Sequence, residues 1–457
     1  MLKSINPYNG ETIGEFEEMS LEQLDVTLNR SLTGFSVWRQ SGFNERKQFL
    51  LSLASALREN RDEYATLITR EMGKVIKESQ KEVDKSAMAL EYFAEHGERY
   101  LSEEKTKAGG GEGLIIYEPM GVILAVMPWN YPFWQFFRFA ATTLMAGNAI
   151  VLKHSSQVPA CSKKIEEIFE KACFPGGVFQ NLITSSSNIN NIIKDFRVQG
   201  VSLTGGINAG SSVAEHAGRH IKKSVLELGG SDPFIVLEDA DIKKAAEAGV
   251  KSRMKNFGQS CDAAKRFILH QDIADEFLEE FKSQFEHLKF GDPLDENSDY
   301  SSMANEEQKK ILSEQVRQSV GGGAEIYWQG NYAPEKDAFF NPMIIKNISP
   351  ETPAYNEELF GPVASVFTVS DGLEAVRIAN DTDYGLGASV WTGDLTRGLK
   401  LVHEIQAGII YLNDEVHSTP ELPFGGVKKS GIGREMAGEG IKEFTNKKSL
   451  WYSMEKG

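Results

Sequence analysis

The chain has 457 residues, of which 41% are hydrophobic, with 42 glycines and a formal net charge of −16 at pH 7. Such an acidic chain disfavours nucleic acid or an anionic membrane as its main partner, because phosphate groups attract basic surfaces. Three cysteines without paired spacing argue against a disulfide framework or a Cys-rich metal site. No apolar stretch approaches the ~18 residues that a membrane span needs, and the N-terminus lacks the pattern of a signal peptide. We therefore expect a soluble, cytoplasmic protein of two or three domains without a bound metal.

The first hundred residues are predicted to form surface helices. Between Glu45 and Ile68, leucines and other apolar residues recur at helical spacing among charged ones. The glycine run Gly109-Gly110-Gly111 then interrupts the pattern, because three glycines hold regular structure at a high entropic cost. We expect a turn or a strand tip there.

Short β-branched runs alternate with helical stretches from residue 122 to residue 237 and beyond. This rhythm predicts parallel sheets with helices on both faces, and thus an α/β fold. The predicted strands of the first half are 122–127, 149–153, 178–183 and 200–204, separated by helices near 134–146, 159–172 and 189–196. A second α/β half is predicted from strands 233–237, 266–269, 339–345, 363–369 and 388–392.

Cys261 is the cysteine most suited to chemistry, since glycine and small polar residues flank it instead of a helical pattern. A nucleophile and a buried thiol both remain possible from the residues alone. Glu227 beside Gly229 and Gly230, and Asn130 after an apolar strand, are also ambiguous, because surface carboxylates and turn asparagines are common. The turn from Gly205 to Gly210 precedes a helical stretch and is able to bind phosphate, although a structural turn explains such glycines more often.

Taken together, these segments resemble the NAD(P)-dependent aldehyde dehydrogenase superfamily over nearly the whole chain. The order of the motifs is much more specific than any one of them, and Cys261 follows Glu227 by 34 residues, as in the family. The motifs are Pro128-Trp129-Asn130, Lys153, Thr204-Gly205-Gly206 with Gly210, Glu227-Leu228-Gly229-Gly230, Gly258-Gln259-x-Cys261, Glu358-Leu359-Phe360-Gly361-Pro362 and Pro423-Phe424-Gly425-Gly426-x-Lys428-x-Ser430-Gly431.

The resemblance implies an aldehyde dehydrogenase-like α/β architecture. It consists of a discontinuous Rossmann-type cofactor domain at 1–100 and 120–229, a catalytic domain at 230–429, and oligomerisation strands at 101–119 and 440–457. Because an unpaired sheet edge needs a partner, we expect a homodimer or a homotetramer.

The resemblance also implies the catalytic roles. Cys261 would add to the aldehyde, while the Asn130 amide and the Cys261 backbone N–H hold the oxyanion of the thiohemiacetal. Hydride transfer to the nicotinamide would leave a thioester, and Glu227 would activate the water that hydrolyses it. Family branches that pass the acyl group to coenzyme A generally lack this glutamate, so a free carboxylic acid is the expected product.

The cofactor is expected to be NAD or NADP. The residues carried over to its site are Trp129, Lys153, Ser156, Gly205, Gly206, Gly210, Leu228, Glu358 and Phe360. Lys153 and Glu358 would bind the two riboses, and Gly206 to Gly210 would lie against the pyrophosphate. Many NAD-preferring members have a glutamate where this chain has Ser156, and a hydroxyl does not repel a 2′-phosphate as a carboxylate does. We therefore predict that NADP is used.

Asp262 departs from the family, which usually has a small or apolar residue directly after the nucleophile. A nearby carboxylate would disfavour the thiolate and raise the pKa of Cys261. The alternative is that Asp262 points away and pairs with a lysine such as Lys265. At the position of a second cysteine found in some members stands Ala263, so we predict no disulfide switch, with Cys161 and Cys173 as core thiols on a helix.

The aldehyde substrate is predicted from Arg138, which matches an arginine of succinate-semialdehyde dehydrogenases, and the sequence around it resembles their shorter bacterial members. An arginine can bind the far carboxylate of a semialdehyde with two hydrogen bonds. Lys255 stands where some members have a second arginine, and Phe424 would shape the pocket. Arg138 could instead be a helix arginine paired with an acidic neighbour. There are two alternative functions. One is the oxidation of another aliphatic or aromatic aldehyde, and the other is a non-catalytic binding role on the same fold.

Overall fold

The computed structural model describes residues 1–109, 111–331 and 338–453. Four β-sheets and the helices around them form the described part of the chain. The α-helices are α1 Leu21–Trp38, α2 Phe43–Glu59, α3 Arg61–Met72, α4 Ile76–Leu101, α5 Trp134–Met145, α6 Pro159–Lys171, α7 Ile189–Lys194, α8 Ile207–Arg219, α9 Ile242–Met254, α10 Ala274–Glu286, α11 Glu306–Gly321, α12 Pro353–Asn356, α13 Gly372–Asn380, α14 Leu395–Val402 and α15 Ala437–Glu443. Single 3₁₀ turns span Ser186–Asn188, Lys255–Gly258 and Lys428–Ser430.

The first large sheet has six strands in the order β17-β9-β8-β5-β6-β7. Its strands are β5 Val122–Met127, β6 Ala149–His154, β7 Phe179–Asn181, β8 Val198–Thr204, β9 Lys223–Glu227 and β17 Gly431–Ile432. All neighbours are parallel except the short β17, which is antiparallel to β9. The chain runs outward from β5 in both directions, so a crevice opens at the carboxyl ends of β5 and β8, where ligands bind in such sheets.

The second large sheet has seven strands in the order β12-β13-β14-β11-β10-β15-β16. Its strands are β10 Asp232–Val236, β11 Ala264–His270, β12 Glu325–Gln329, β13 Met343–Lys346, β14 Val363–Val369, β15 Gly387–Trp391 and β16 Ile409–Leu412. Only the β12–β13 pair is antiparallel among its described neighbours. The two parallel sheets confirm the predicted α/β fold.

Two small antiparallel sheets complete the architecture. One pairs β1 Leu2–Ile5 with β2 Thr12–Phe16, and the other orders β18-β4-β3 from β3 Glu104–Ala108, β4 Gly111–Pro119 and β18 Thr445–Tyr452. The strands predicted for oligomerisation, within 101–119 and 440–457, therefore lie in one sheet. The glycine run lies at the tip of the β3–β4 hairpin, although Gly110 and residues 454–457 lie outside the described residues.

Several differences from the predicted elements have clear causes. The N-terminal hairpin β1–β2 was not predicted, because its two strands are short and only partly buried, and so carry no clear alternation of apolar and polar residues. The strand predicted at 339–345 begins only at Met343, since Phe339 and Phe340 are buried by tertiary packing without joining the sheet. The domain boundaries proposed from the sequence stay a prediction, although residues 431–432 join the first large sheet.

The N-terminal helices bury one face against the first sheet and leave the other in water. On α2 and α3, residues Leu50, Leu57 and Ile68 are fully buried within the large core that also contains α5. Ser20 begins α1 with a reciprocal capping pair, in which Ser20 and Gln23 each accept a hydrogen bond from the other's backbone N–H. Among the described residues, no helix is both long and apolar enough to cross a membrane.

Candidate active site

Cys261 lies at the junction of two cavities that open on its two sides. The first has a volume of about 260 Å³ and is lined by Pro128, Trp129, Asn130, Gln135, Thr204, Gly205, Gly206, Glu227, Leu228, Gly229, Cys261, Gln308, Glu358 and Phe360. The second, of about 270 Å³, is lined by Glu78, Lys81, Glu82, Lys85, Tyr131, Trp134, Gln135, Arg138, Lys251, Lys255, Ser260, Cys261, Asp262, Glu415, Ser418 and Phe424. We call these the cofactor-side cavity and the substrate-side cavity. The half-buried thiol is thus accessible from both.

Backbone strain positions the loop that carries Cys261. Asn256 and Phe257 both adopt the left-handed region, with φ of 50° and 55°, between α9 and β11. Asparagine adopts this region more readily than most residues, but phenylalanine rarely does, so the surrounding contacts must impose it on Phe257. Gly258 is also left-handed, and a Cβ at that position would collide with the backbone of Gly361. Glycine is therefore required three residues before Cys261.

A network of buried amides connects this loop to Asn130. The Asn130 side chain donates to the Gln259 carbonyl over 3.1 Å, and the Asn256 side chain donates to the carbonyls of Asn130 and Gln259 over 2.9 and 3.1 Å. The sequence did not indicate this role of Asn256, because no motif marks a residue that adopts a left-handed conformation in a 3₁₀ turn. The network places the Asn130 amide in the wall of the cofactor-side cavity with Cys261.

Glu227 ends β9 and is buried, with no hydrogen-bond partner for either carboxylate oxygen among the described residues. Burial raises the pKa of Glu227 well above its ordinary value; Glu435 raises it further, and Arg138 and Arg434 oppose the shift. Gly425 leaves room for this carboxyl, since a Cβ there would lie 2.6 Å from Glu227 Oε1. A buried, unpaired carboxyl of raised pKa that shares a cavity with a thiol has the properties of a general base.

Burial also raises the pKa of the Cys261 thiol, and Asp262 raises it further, whereas Arg138 and Lys265 lower it. Asp262 pairs with a lysine, as one of the two alternatives predicted, but its partner is Lys255 and not Lys265. It accepts a hydrogen bond from Ser260 Oγ at 2.5 Å and lies 3.3 Å from Lys255 Nζ. These contacts with Lys255 and Ser260 overcome the cost of burial and lower the pKa of Asp262 to about 2, so the carboxylate stays charged beside the thiol.

Lys265 instead binds the backbone carbonyl groups around Cys261. Its ammonium group donates to the carbonyls of Ser260, Cys261 and Ala263 over 2.9, 2.8 and 3.2 Å, and it lies 3.3 Å from Glu358 Oε1. Lys265 lies at the start of β11, and three carbonyl groups already surround its ammonium group, which explains why it does not pair with Asp262.

Most of the residues predicted to contact the cofactor line the cofactor-side cavity. Trp129 and Phe360 pack edge to face with ring centroids 5.7 Å apart, and Glu358 accepts a hydrogen bond from the Gly230 backbone over 3.1 Å. The Gly205-Gly206 turn leads directly into α8, which begins at Ile207. Thus Gly210 lies inside the helix, where a Cβ would meet Leu228 at 2.5 Å, and it packs against the sheet instead of shaping the turn.

Lys153 and Ser156 lie outside the lining of that cavity, at and just beyond the carboxyl end of β6. The Lys153 side chain is buried, and burial lowers its pKa from the ordinary value. Ser156 is partly exposed in the following turn. Lys153 lies in β6, the strand next to β5, and Ser156 follows that strand, so both border the same crevice of the sheet.

The three predicted substrate-contacting residues all line the substrate-side cavity. Arg138 is buried and forms an ion pair with Glu435, which confirms the alternative that this arginine pairs with an acidic residue. Its guanidinium carbon lies 4.5 Å from the centroid of the Phe424 ring. Arg138 Nη2 has no hydrogen-bond partner among the described residues. Lys255 donates to the Val416 carbonyl over 3.0 Å and pairs with Asp262.

The other two cysteines differ from each other. Cys161 is buried on α6, as predicted, but Cys173 is exposed beyond the end of that helix with a left-handed φ of 55°. The prediction of a core thiol at position 173 was therefore wrong, because the helix ends at Lys171. Both thiols are free.

Known proteins match this chain over almost its whole length. The sequence model of the aldehyde dehydrogenase family matches residues 1–450. A probable succinate-semialdehyde dehydrogenase (NADP+) of Synechocystis sp. is 43% identical over 450 residues, covering 98% of this chain and 99% of the relative. Succinate-semialdehyde dehydrogenase (NADP+) 1 of Mycobacterium tuberculosis is 42% identical over 453 residues, with coverages of 98% and 99%.

The fold is equally similar to solved structures. The crystal structure of succinic semialdehyde dehydrogenase from Streptococcus pyogenes in complex with NADP+ superimposes with a TM-score of 0.97 at 35% identity, covering 99% of this chain and 100% of that one. These matches confirm the architecture and the resemblance inferred from the ordered motifs. The chain belongs to the aldehyde dehydrogenase family and is an NAD(P)-dependent oxidoreductase that acts on aldehydes.

Proposed function

We propose that this enzyme oxidises succinate semialdehyde to succinate with NADP as a preferred acceptor, by covalent catalysis at Cys261 and hydrolysis assisted by Glu227. The position of Cys261 between two cavities carries the proposal. One cavity has the aromatic, glycine and carboxylate lining suited to a dinucleotide, and the other combines aromatic rings with buried cations. The relatives named above are described as NADP-dependent succinate-semialdehyde dehydrogenases.

The cofactor-side cavity fits a dinucleotide. The N-terminus of α8 follows Gly206, and a Cβ at Gly206 would meet no atom of the described residues within 4 Å. Free backbone N–H groups at an open helix N-terminus favour a pyrophosphate. Trp129, Leu228, Glu358 and Phe360 would hold the rest of the cofactor, which supplies the hydride acceptor when bound. Ser156 replaces a carboxylate that would repel a 2′-phosphate, which supports the use of NADP.

The residues of this chain perform the remaining chemistry. The Cys261 thiolate adds to the aldehyde carbon, and the Asn130 side-chain amide and the Cys261 backbone N–H stabilise the oxyanion that forms. Oxidation leaves a thioester on Cys261. Glu227, once deprotonated, accepts a proton from water as the water attacks the thioester, and succinate leaves as the free acid.

Steady-state kinetics test the proposal. We expect kcat/KM for succinate semialdehyde to exceed that for butanal and for benzaldehyde by at least about tenfold, as one charged hydrogen bond contributes roughly 1.5–3 kcal/mol. We also expect turnover with NADP at least equal to that with NAD. Equal efficiency with butanal would favour a neutral aliphatic aldehyde, which the rings of Trp134 and Phe424 also suit. A purified protein that binds NADP without turnover would indicate a non-catalytic binding protein.

We further propose a cytoplasmic homodimer or homotetramer. Support comes from the sheet β18-β4-β3, whose strand β18 exposes Leu450, Trp451 and Tyr452 on the surface of one chain. Light scattering after size exclusion should give two or four times the mass of 50.7 kDa. A monomeric mass at micromolar concentration would contradict this part of the proposal.

A further inference from the structure

The substrate-side cavity contains a lysine that no sequence motif indicates. Lys85 lies on α4, a helix whose apolar face packs on the core, and its side chain is half-buried in the wall that also contains Cys261. Its ammonium group donates to Ser418 Oγ over 2.8 Å and lies 4.3 Å from the centroid of the Trp134 ring. A hydroxyl and a ring face solvate a cation only in part.

The other buried cations around this cavity already have carboxylate partners. Arg138 pairs with Glu435, and Lys255 pairs with Asp262. Lys251 lies 2.6 Å from Glu415. No ion pair with a carboxylate is formed by Lys85 within residues 1–109, 111–331 and 338–453.

The acids near Lys85 are also occupied. Glu82 pairs with Lys74 over 2.6 Å and accepts hydrogen bonds from two backbone N–H groups at the start of α5. Glu78 accepts a hydrogen bond from the Asn256 backbone over 3.1 Å. Lys81 is exposed at the mouth of the cavity. The ammonium of Lys85 is therefore a partly desolvated charge without a carboxylate partner, and the carboxylate of a ligand can pair with it. Arg138 also has an unpartnered Nη2 among the described residues, but Glu435 already balances its charge.

We propose that Lys85, held by Ser418, binds the far carboxylate of the substrate and so determines the preference for a semialdehyde over a neutral aldehyde. This inference rests on the proposed function. A four-carbon semialdehyde has its aldehyde at one end and its carboxylate at the other, so it needs a nucleophile and a cation in one cavity. Cys261 and Lys85 provide this pair, and the rings of Trp134 and Phe424 line the same cavity.

The titration of Lys85 predicts a pH dependence of KM for succinate semialdehyde that a purely structural role of the lysine would not produce. Burial lowers this pKa to about 7; Lys255 and Arg138 lower it as well, whereas Asp262 and Glu82 raise it. The ammonium form is thus largely lost between pH 7 and pH 9 in the free enzyme. KM for succinate semialdehyde should rise several-fold over this range, while KM for butanal, which has no carboxylate, should not.

The main variant is Lys85→Met, which keeps the length of the side chain and removes the charge. We expect kcat/KM for succinate semialdehyde to fall about ten- to hundredfold and that for butanal to change less than about twofold, consistent with loss of one charged contact. Lys85→Arg should retain the preference and abolish the rise of KM above pH 7, because a guanidinium stays protonated. Lys243→Met, at an exposed position of α9 outside both cavities, is the control for general charge effects.

Each other outcome overturns the inference. If Lys85→Met leaves the preference for succinate semialdehyde intact, Lys85 does not bind the carboxylate, and the proposed function still stands. If the substitution lowers kcat/KM equally for succinate semialdehyde and butanal, the lysine has a structural role. A wild-type enzyme without preference for succinate semialdehyde over butanal would refute the proposed function and this inference together, and that result is seen before any variant is made. If Lys85→Met does not fold, the pH dependence of the wild-type KM decides alone.

Discussion

Removing the charge of Asp262 should make Cys261 more reactive at neutral pH. The variant Asp262→Asn keeps the shape of the side chain and its contact with Ser260, but eliminates a carboxylate that raises the pKa of the neighbouring thiol. If the two charges are taken as about 6 Å apart, an effective dielectric constant of about 20 to 80 gives a repulsion of roughly 0.7–3 kcal/mol.

The ion pair with Lys255 reduces this effect. Because the ammonium lies 3.3 Å from the carboxylate, the thiol experiences part of a dipole instead of a full charge. We therefore expect the smaller part of the range, and the pKa of Cys261 should fall by about 0.5–1 unit, where one unit corresponds to about 1.4 kcal/mol.

The assay is the pH dependence of alkylation with iodoacetamide in a Cys173→Ser background, because Cys173 is exposed and would react as well. Asp62→Asn, a substitution of an exposed aspartate on α3, is the matched control. Superimposable alkylation profiles for Asp262→Asn and its parent would refute the electrostatic reasoning. A profile displaced to higher pH would show that the aspartate favours the thiolate through Lys255.

Three further outcomes are expected. Glu227→Gln should release about one equivalent of reduced cofactor per active site in a burst and then turn over at least ~100-fold more slowly than wild type. A wild-type rate that falls with rising pH would contradict the assignment of Glu227 as a base of raised pKa. Gly258→Ala should lower the free energy of unfolding by more than about 2 kcal/mol in chemical denaturation, because it combines left-handed strain with a backbone collision. Gly218→Ala is the control and should not destabilise the protein, because Gly218 lies in α8 and a Cβ there would meet no atom of the described part of the chain within 4 Å. Ser156→Glu should reduce kcat/KM with NADP at least about tenfold relative to NAD, and an unchanged ratio would remove Ser156 from cofactor selection.

Much of the architecture follows from local patterns. The strand Val122–Met127 and the strand Val363–Val369 have the predicted bounds, because continuous apolar runs bounded by turns are typical of buried parallel strands. Helix α5 also ends within one residue of its prediction. The N-terminal hairpin escaped because short edge strands of mixed polarity resemble loops in sequence.

Charge partners could not be predicted in the same way. Asp262 is three residues from Lys265 but pairs with Lys255. The reason is that three carbonyl groups already surround the Lys265 ammonium. Arg138 pairs with Glu435, nearly three hundred residues later in the chain. Such pairs depend on which surfaces the fold brings together.

The sequence by itself determined the family and the α/β fold, and it predicted Cys261, Glu227 and Asn130 as the catalytic residues, since ordered motifs and hydrophobic periodicity are local properties of the chain. Only the tertiary structure decided which charges remain unpaired at the site. Lys85 lies far from every motif, and its place beside Cys261 results from the packing of α4 against α5 and the loop that carries Ser418. Desolvation and charge pairing arise from contacts between distant segments, so they become visible only when the chain is folded.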